Sequence, residues 1–222
     1  MSASPIDWSR VDHVLLDMDG TILDLAFDNY FWGELVPQRY AESKGLTLDQ
    51  AYQVLMPRFE AVRQTLPWYC TDYWSEQTGL CMASLKHEVR DRIRLLDGSL
   101  EFLQAARAAG KQVWLATNAH PDSWRLKLDH TGIDAHFDGI ISSHDFGAPK
   151  EDDHFWQAVF QMHRFDPARS LFADDNEQVL LAARRFGIGQ IIGMHHPDSG
   201  AEARSFSDFD SVARLNELLP IP

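Results

Sequence analysis

The stretch Val-Leu-Leu-Asp-Met-Asp-Gly-Thr-Ile-Leu-Asp, residues 14–24, decides the fold of this chain. It predicts one short buried strand that ends at Asp17 and Asp19, after which Gly20 and Thr21 turn the chain away. The two carboxylates project to the same side of an extended backbone, at the strand end where open α/β sheets bind ligands. Because Asp, Gly and Thr are also ordinary turn formers, the stretch by itself equally fits a strand followed by an acidic turn.

Beyond residue 95 the chain alternates between short apolar runs and amphipathic stretches. This alternation predicts an α/β protein with a doubly wound parallel sheet, because parallel strands need a crossover between them. The predicted strands span residues 12–17, 111–117, 137–142, 170–173 and 190–194. The predicted helices span residues 97–110, 152–163 and 177–186, with another that starts at residue 121 and a closing one at 210–219.

Residues 28–94 are rich in aromatic side chains and show helical spacing without a convincing strand. We expect four or five helices there, because Pro and Gly interrupt the pattern repeatedly. The block lies between the first strand and the rest of the sheet, which indicates an insertion that covers the strand ends. The predicted domains are therefore a core of residues 1–26 and 95–222 and an all-helical cap of residues 27–94.

Composition narrows the classes of partner. The formal net charge is −13 and the basic residues are scattered, which argues against nucleic acid, because that partner requires clustered Lys and Arg. No apolar run approaches the roughly 18 residues that indicate a membrane span. Residues 1–8 lack the basic and apolar parts of a secretory signal. We therefore expect a cytoplasmic protein without a membrane partner, in which Cys70 and Cys81 are reduced thiols.

Four polar clusters follow predicted strands, and the carboxyl ends of parallel strands meet at one edge of a sheet. Each cluster has a simpler explanation by itself, such as a helix cap, a solvated lysine or an acidic turn. Their joint arrival at one edge favours a catalytic site. The clusters are Asp17 with Asp19, Thr117 with Asn118, Lys150, and Asp174 with Asp175.

The chemistry that suits these residue types is hydrolysis of a small phosphomonoester. Asp17 is the predicted nucleophile, which forms an aspartyl phosphate. Asp19 is the predicted proton carrier, first to the leaving oxygen and then from the hydrolytic water. Thr117 and Asn118 are predicted to hold phosphoryl oxygens at a helix start, and Lys150 to supply positive charge.

Several carboxylates and a phosphate cannot share a dry crevice without a cation. A hard ion with oxygen ligands is the natural choice, so Mg²⁺ is the predicted cofactor. The predicted inner ligands are Asp17, the backbone carbonyl of Asp19, and Asp175, whereas Asp174 binds either directly or through water. The ten histidines show no zinc-type spacing.

The ordered motifs resemble the haloacid dehalogenase superfamily of phosphotransferases. They are Asp17-x-Asp19-Gly20-Thr21, Thr117-Asn118, Lys150 and Asp174-Asp175. The resemblance implies a Rossmann-like core and identifies the helical insertion with the C1 cap of that superfamily. One departure is that Glu151, rather than the common proline, follows the lysine, while Pro149 precedes it.

Other strings resemble the bacterial GMP/IMP nucleotidase branch of the superfamily, which implies removal of the 5′-phosphate of a purine nucleotide. They are Leu-Ala-Phe-Asp-Asn-Tyr-Phe-Trp (25–32), Trp-Tyr-Cys (68–70), Asp-Tyr-Trp-Ser-Glu-Gln (72–77), Thr-Asn-Ala-His-Pro (117–121) and Phe-Gly-x-Pro-Lys-Glu-Asp (146–152).

Substrate recognition in this interpretation falls to residues of the cap and its entrance. Asp28 and Asn29 are predicted to contact the polar edge of the base. Thr21 is also predicted to bind substrate. His120 either contacts the phosphate or is an exposed residue at a helix start. Aromatic side chains either stack on the base or form the core of the cap. The aromatic candidates are Tyr30, Trp32, Trp68, Tyr69, Tyr73 and Trp74.

Other activities stay open at this point. A phosphatase or mutase that acts on a sugar phosphate shares every core motif. A dehalogenase needs no second aspartate, so Asp19 argues against it. A phosphonatase needs a cap lysine in an apolar setting, which we predict for neither Lys44 nor Lys86. A signalling receiver also combines an acidic metal site with Asp, Thr and Lys, but its acidic pair precedes the phospho-acceptor, whereas Asp17 comes first here.

Overall fold

The computed structural model describes residues 5–222 of the chain. Its strands are β1 (His13–Leu16), β2 (Gln112–Thr117), β3 (Gly139–Ser142), β4 (Ser170–Asp174), β5 (Gln190–Met194) and β6 (Ser211–Val212). They form one six-stranded sheet in the order β3-β2-β1-β4-β5-β6, and all neighbouring pairs are parallel. The predicted α/β class with a doubly wound parallel sheet is confirmed.

Helices cover both faces of the sheet. The alternating side chains of β1 show this, because Leu16 packs in one apolar cluster with Phe102, and Leu15 packs in another with Phe155 and Trp156. The α-helices that follow residue 95 are α7 (Ser99–Ala108), α8 (Pro121–Thr131), α9 (Asp153–His163) and α10 (Glu177–Phe186). None of the helices within residues 5–222 is long and apolar enough to cross a membrane.

Six α-helices lie between β1 and α7, where the sequence predicted four or five, because the first is a five-residue piece that continues into the second through a π-helical turn at Phe31–Leu35. We call them together the helical segment. They are α1 (Ala26–Tyr30), α2 (Val36–Lys44), α3 (Leu48–Ala61), α4 (Leu66–Tyr69), α5 (Thr71–Thr78) and α6 (Met82–Glu88). They enclose a third apolar cluster of their own. The domain boundaries at 26/27 and 94/95 stay a prediction.

The chain enters and leaves the helical segment at one place. Leu23 and Leu95 form an antiparallel bridge, and the backbone N–H of Leu96 donates to the carbonyl of Ile22 at 2.9 Å. Gly20 lies just before this point with φ of +87°, and a Cβ there would lie 2.8 Å from the carboxyl carbon of Asp175. The glycine therefore lets the loop after β1 approach the loop after β4.

The predicted closing helix at 210–219 is wrong. Ser211 and Val212 instead pair with Gly193 and Met194 as the edge strand β6, and a short 3₁₀ turn follows at Leu215–Leu218. The helical spacing of apolar residues was misleading, because pairing with β5 satisfies its backbone groups while the turn still buries the leucines.

Sheet register brings the polar clusters together. Leu16, the last residue of β1, lies opposite Leu115 on one side and Ala173 on the other. The backbone N–H of Asp17 donates to the carbonyl of Ala173 at 3.0 Å. The chain therefore leaves β1 between the end of β2, which carries Thr117 and Asn118, and the end of β4, which carries Asp174 and Asp175.

Candidate active site

A cavity of about 430 Å³ lies between the carboxyl edge of the sheet and the helical segment. Of the predicted site residues, nine line this cavity: Asp17, Asp19, Asp28, Asn29, Thr117, Asn118, Lys150, Asp174 and Asp175. Thr21 does not, and its hydroxyl is buried without a hydrogen-bond partner among the described residues. The structure therefore assembles the four strand-end clusters in one crevice, as expected.

Lys150 lies at the centre of the crevice with 2% of its side chain exposed. Its Nζ donates to Asp17, to Asp174 Oδ2 at 2.7 Å and to the carbonyl of Ala116 at 3.0 Å. Burial lowers the pKa of Lys150, but the two carboxylates outweigh burial and bring this pKa above its ordinary value. The ammonium group therefore stays charged beside Asp17.

Carboxylates outnumber that lysine. Oxygen atoms of Asp17, Asp174 and Asp175 lie within 4.8 Å of one another. Burial raises the pKa of Asp17 to about 7, with Lys150 opposing and Asp174 adding to the rise. Burial and the other two carboxylates also raise the pKa of Asp175, although Arg204 donates to its Oδ2 at 2.9 Å. Three carboxylate oxygens at this spacing are a donor set that fits Mg²⁺.

Asp19 belongs to a separate network of buried charges. Lys127, on α8, donates to Asp19 Oδ1 at 2.7 Å and to Asp28 Oδ2 at 2.5 Å. Lys86, on α6, donates to Asp28 Oδ1 at 2.9 Å. The network thus joins the loop after β1 to α8 and to both ends of the helical segment.

The pKa values of the two carboxyl groups in this network shift in opposite directions. Burial raises the pKa of Asp19 to about 6, against the pull of Lys127. Burial also acts on Asp28, but Lys127 and Lys86 outweigh it and lower the pKa of Asp28 to about 2. Asp28 is therefore ionised, with both its oxygens held by lysines, at the wall where the sequence predicted contact with the base.

Lys86 corrects the expectation that no cap lysine has an apolar setting. It is 2% exposed, and its Nζ lies 5.1, 4.4 and 5.6 Å from the ring centroids of Phe27, Phe31 and Trp32. Burial lowers its pKa, whereas Asp28 opposes that shift. Its partnership with Asp28 makes Lys86 a charged link in the network rather than a free amine.

Glu151, which departs from the superfamily pattern, joins three parts of the site. It accepts hydrogen bonds from Tyr69 Oη at 2.5 Å, Asn118 Nδ2 at 2.9 Å and Asn176 Nδ2 at 3.3 Å. The other amide atom of Asn118, its Oδ1, accepts from the backbone N–H of Lys150 at 2.8 Å. The Asn118 side chain therefore positions the lysine loop, and its predicted contact with phosphate stays a prediction.

The remaining predicted residues line the cavity, but each also has a hydrogen-bond partner within the protein. Thr117 is buried and accepts from the N–H of Ala119 at 3.0 Å, which fixes its hydroxyl at the helix start. Asn29 lines the cavity but donates to Asp198 Oδ2 at 2.6 Å. His120 is the N-cap residue of α8, yet only 13% of its side chain is exposed, and its Nδ1 lies 2.7 Å from Thr71 Oγ1.

The aromatic candidates of the helical segment lie both in the cavity wall and in the apolar core, and stacking on a base stays a prediction. Four of the six candidates line the cavity: Trp32, Trp68, Tyr69 and Trp74. Trp74 is also 1% exposed and packs edge-to-face on Phe59 with ring centroids 4.6 Å apart. Tyr30 does not line the cavity, and its ring centroid lies 3.7 Å from the guanidinium carbon of Arg92.

Sequence reasoning missed Lys127, Lys86, Arg204 and Glu151 as partners of the site. Lys86 lies in the last turn of α6 and Lys127 in the middle of α8, with no motif around either lysine. Arg204 lies in an irregular loop after β5. Glu151 was visible only as a departure from a pattern. Its position directly after Lys150 was the signal that could have identified it.

Comparisons with known proteins identify a family for this chain. A profile of the haloacid dehalogenase-like hydrolases matches residues 11–187. The GMP/IMP nucleotidase YrfG of Escherichia coli strain K12 is 46% identical over 215 residues, with 97% of each chain covered. A HAD phosphatase from Thermococcus onnurineus superposes with a TM-score of 0.78 at 20% identity, covering 94% of this chain and 96% of that one.

An L-2-haloacid dehalogenase from Xanthobacter autotrophicus also superposes, with a TM-score of 0.60 at 18% identity over 94% of this chain and 96% of that one. At such low identities the two solved structures share only the fold with this chain. Since one is a phosphatase and the other a dehalogenase, the fold does not choose between the two reactions. The residues of the site and the relative that is 46% identical are what distinguish the two reactions.

Proposed function

Because the chain belongs to the haloacid dehalogenase-like hydrolases, we propose that it is a Mg²⁺-dependent phosphomonoesterase that acts on purine nucleoside 5′-monophosphates. The observation that carries the proposal is the pairing of two carboxylates in different settings on one loop. Asp17 contacts Lys150, and Asp19, two residues later, contacts Lys127. One carboxylate suits attack and the other suits proton transfer. Family membership removes the receiver alternative.

Asp17 is the nucleophile in this mechanism. Its carboxylate attacks phosphorus, the bond from phosphorus to the ester oxygen breaks, and an aspartyl phosphate forms. Lys150 orients the attacking carboxylate and adds positive charge beside the transferred group. Water then attacks the phosphorus of the intermediate, which releases phosphate and restores Asp17.

Asp19 moves the protons of both steps. It gives a proton to the departing ester oxygen, so that a neutral nucleoside leaves, and it takes a proton from the attacking water. The ammonium of Lys127, 2.7 Å from Asp19 Oδ1, positions the carboxyl group. Thr117 and the backbone N–H groups at the start of α8 hold the phosphoryl oxygens.

Asp17, Asp174 and Asp175 are the side chains that would hold Mg²⁺, together with the backbone carbonyl of Asp19. The spacing of their oxygens, within 4.8 Å, supports this assignment. When bound, the ion neutralises negative charge and polarises the phosphoryl group.

The purine preference rests on the cavity and on the relative. Residues 27–94, the proposed cap domain, contribute Trp32, Trp68 and Tyr69 to the cavity wall, and such side chains offer flat faces to a base. The relative that is 46% identical is named a GMP/IMP nucleotidase. Both cysteines are free thiols, which supports the proposal that the reaction takes place in the cytoplasm.

The test is phosphate release from a panel that contains GMP, IMP, AMP, pyrimidine nucleotides and sugar phosphates. We expect the highest kcat/KM for GMP and IMP, loss of turnover with a chelator, and recovery with Mg²⁺. A flat profile, or a preference for a sugar phosphate, contradicts the substrate proposal. Turnover that persists with the chelator contradicts the metal proposal.

A further inference from the structure

A cluster of one cysteine and two histidines lies beside the cavity, outside the carboxylate site. Cys70 connects α4 to α5 in the helical segment, His120 caps α8, and His144 lies in the 3₁₀ turn after β3. Ligand atoms of the three side chains lie within 4.8 Å of one another. Their separation along the chain explains why the spacing of the histidines gave no indication of them.

The cluster has unused ligand capacity. Nε2 of His144 is buried and has no hydrogen-bond partner among residues 5–222, and a buried polar atom in that state is costly. The His120 and His144 rings meet edge-to-face with centroids 4.9 Å apart. Asp72 Oδ2, 3.6 Å from His120 Nε2, is an oxygen donor at the rim.

The donor set selects the class of ligand. A thiolate and two imidazoles prefer borderline-soft cations such as Zn²⁺ or Co²⁺, whereas the all-oxygen set of Asp17, Asp174 and Asp175 prefers Mg²⁺. The chain therefore offers two sites with opposite preferences. We propose that Cys70, His120 and His144 form a binding site for a zinc-class divalent cation that ties the helical segment to the sheet beside the active site.

Binding at this place restricts the cavity. His120 and Thr71, the neighbour of Cys70, both line it, and their side chains meet at 2.7 Å. A cation held by Cys70 on one side and by two histidines on the other fixes this contact. Substrate entry and product release that need the helical segment to move are then slowed, so zinc acts as an inhibitor from outside the carboxylate site.

Co²⁺ is the probe, because a thiolate ligand gives it a charge-transfer absorption band that carboxylates do not. We titrate the reduced, full-length protein with Co²⁺ in saturating Mg²⁺ and expect a band that saturates at one ion per chain and disappears on addition of Zn²⁺. Cys70→Ser removes the band. His144→Gln removes a proposed ligand and weakens Co²⁺ binding by about 100-fold or more. Loss of a residue that only hydrogen-bonds to a metal ligand already costs about 10–100-fold in affinity.

Cys81→Ser is the matched control, because Cys81 is an exposed free thiol outside the cluster. It retains the band. Absence of a band in the wild type, its survival in Cys70→Ser, or equal loss in Cys81→Ser overturns the site. In the activity assay, Cys70→Ser matches the wild type without zinc and resists inhibition by zinc. Equal inhibition of both proteins overturns the proposed effect on the cavity.

Discussion

Replacing Lys127 by methionine removes the cation that Asp19 and Asp28 share. Lys127 is 1% exposed, and its Nζ lies 2.7 Å from Asp19 Oδ1 and 2.5 Å from Asp28 Oδ2. Methionine preserves much of the volume of the lysine stem, so the change isolates the charge from the packing.

The expected loss of unfolding free energy depends on which charged partners Asp19 and Asp28 retain. Asp28 retains Lys86 at 2.9 Å, whereas Asp19 loses the cation that opposes the rise of its pKa. Removing one partner of a buried ion pair costs about 3–5 kcal/mol. Because only one of the two carboxylates is left uncompensated, we expect the lower end, about 3 kcal/mol of unfolding free energy.

The assay is urea unfolding followed by tryptophan fluorescence. With an m-value of about 1–3 kcal/mol per molar urea, the midpoint falls by about 1 M or more. Arg125→Met on the same helix is the control, because that guanidinium is exposed and lies over the Trp124 ring. A loss below about 1 kcal/mol for Lys127→Met, or an equal loss for Arg125→Met, refutes the reasoning.

Three further predictions concern charge, contact and backbone. Asp28 has a pKa of about 2 in the folded chain against an ordinary 3.8, so its contribution to stability is present above pH 4, and about 2 kcal/mol of that contribution is lost as pH falls from 4 to 2. Asp28→Asn removes this contribution from the pH dependence of the unfolding free energy, and the same slope in both proteins contradicts the prediction. Glu151→Ala removes the acceptor of the Tyr69 hydroxyl in the cavity wall. We expect kcat/KM to fall about tenfold, because the lost hydrogen bond stabilises the site by about 1.4 kcal/mol; unchanged kcat/KM contradicts this. Gly20→Ala forces a Cβ to 2.8 Å from Asp175 at positive φ and costs about 1–3 kcal/mol in thermal unfolding; wild-type stability contradicts it.

The sheet and its catalytic edge were predictable because they depend on local signals. A buried run such as Val14–Leu16 predicts a strand regardless of its partners. Parallel topology then places the ends of all strands on one edge, which brought Asp17, Lys150 and Asp174 together before any contact was known.

The partners of the site were not predictable, because they depend on contacts between distant parts of the chain. In the sequence, Lys127 is indistinguishable from the other polar residues of an amphipathic helix. Only the packing of α8 against the loop after β1 brings its Nζ to Asp19. The same applies to Lys86 and Asp28, which meet only when α6 folds back on α1.

Helical spacing misled where strand pairing competed with it. Val212, Leu215 and Leu218 repeat every three residues, which suggests a helix, but the edge of β5 offers backbone partners that Ser211 and Val212 take. In the helical segment the same spacing was informative for structure and ambiguous for function, since Trp74 both packs on Phe59 and lines the cavity.

Location of the phosphoryl group during turnover tests the proposed mechanism most directly. Enzyme mixed with GMP and Mg²⁺ is quenched in acid within the steady state, digested and examined by tandem mass spectrometry. The mechanism predicts a phosphoryl group on Asp17 in the wild type and neither phosphoryl group nor turnover in Asp17→Asn. A phosphoryl group on another side chain, or turnover that survives in Asp17→Asn, contradicts it.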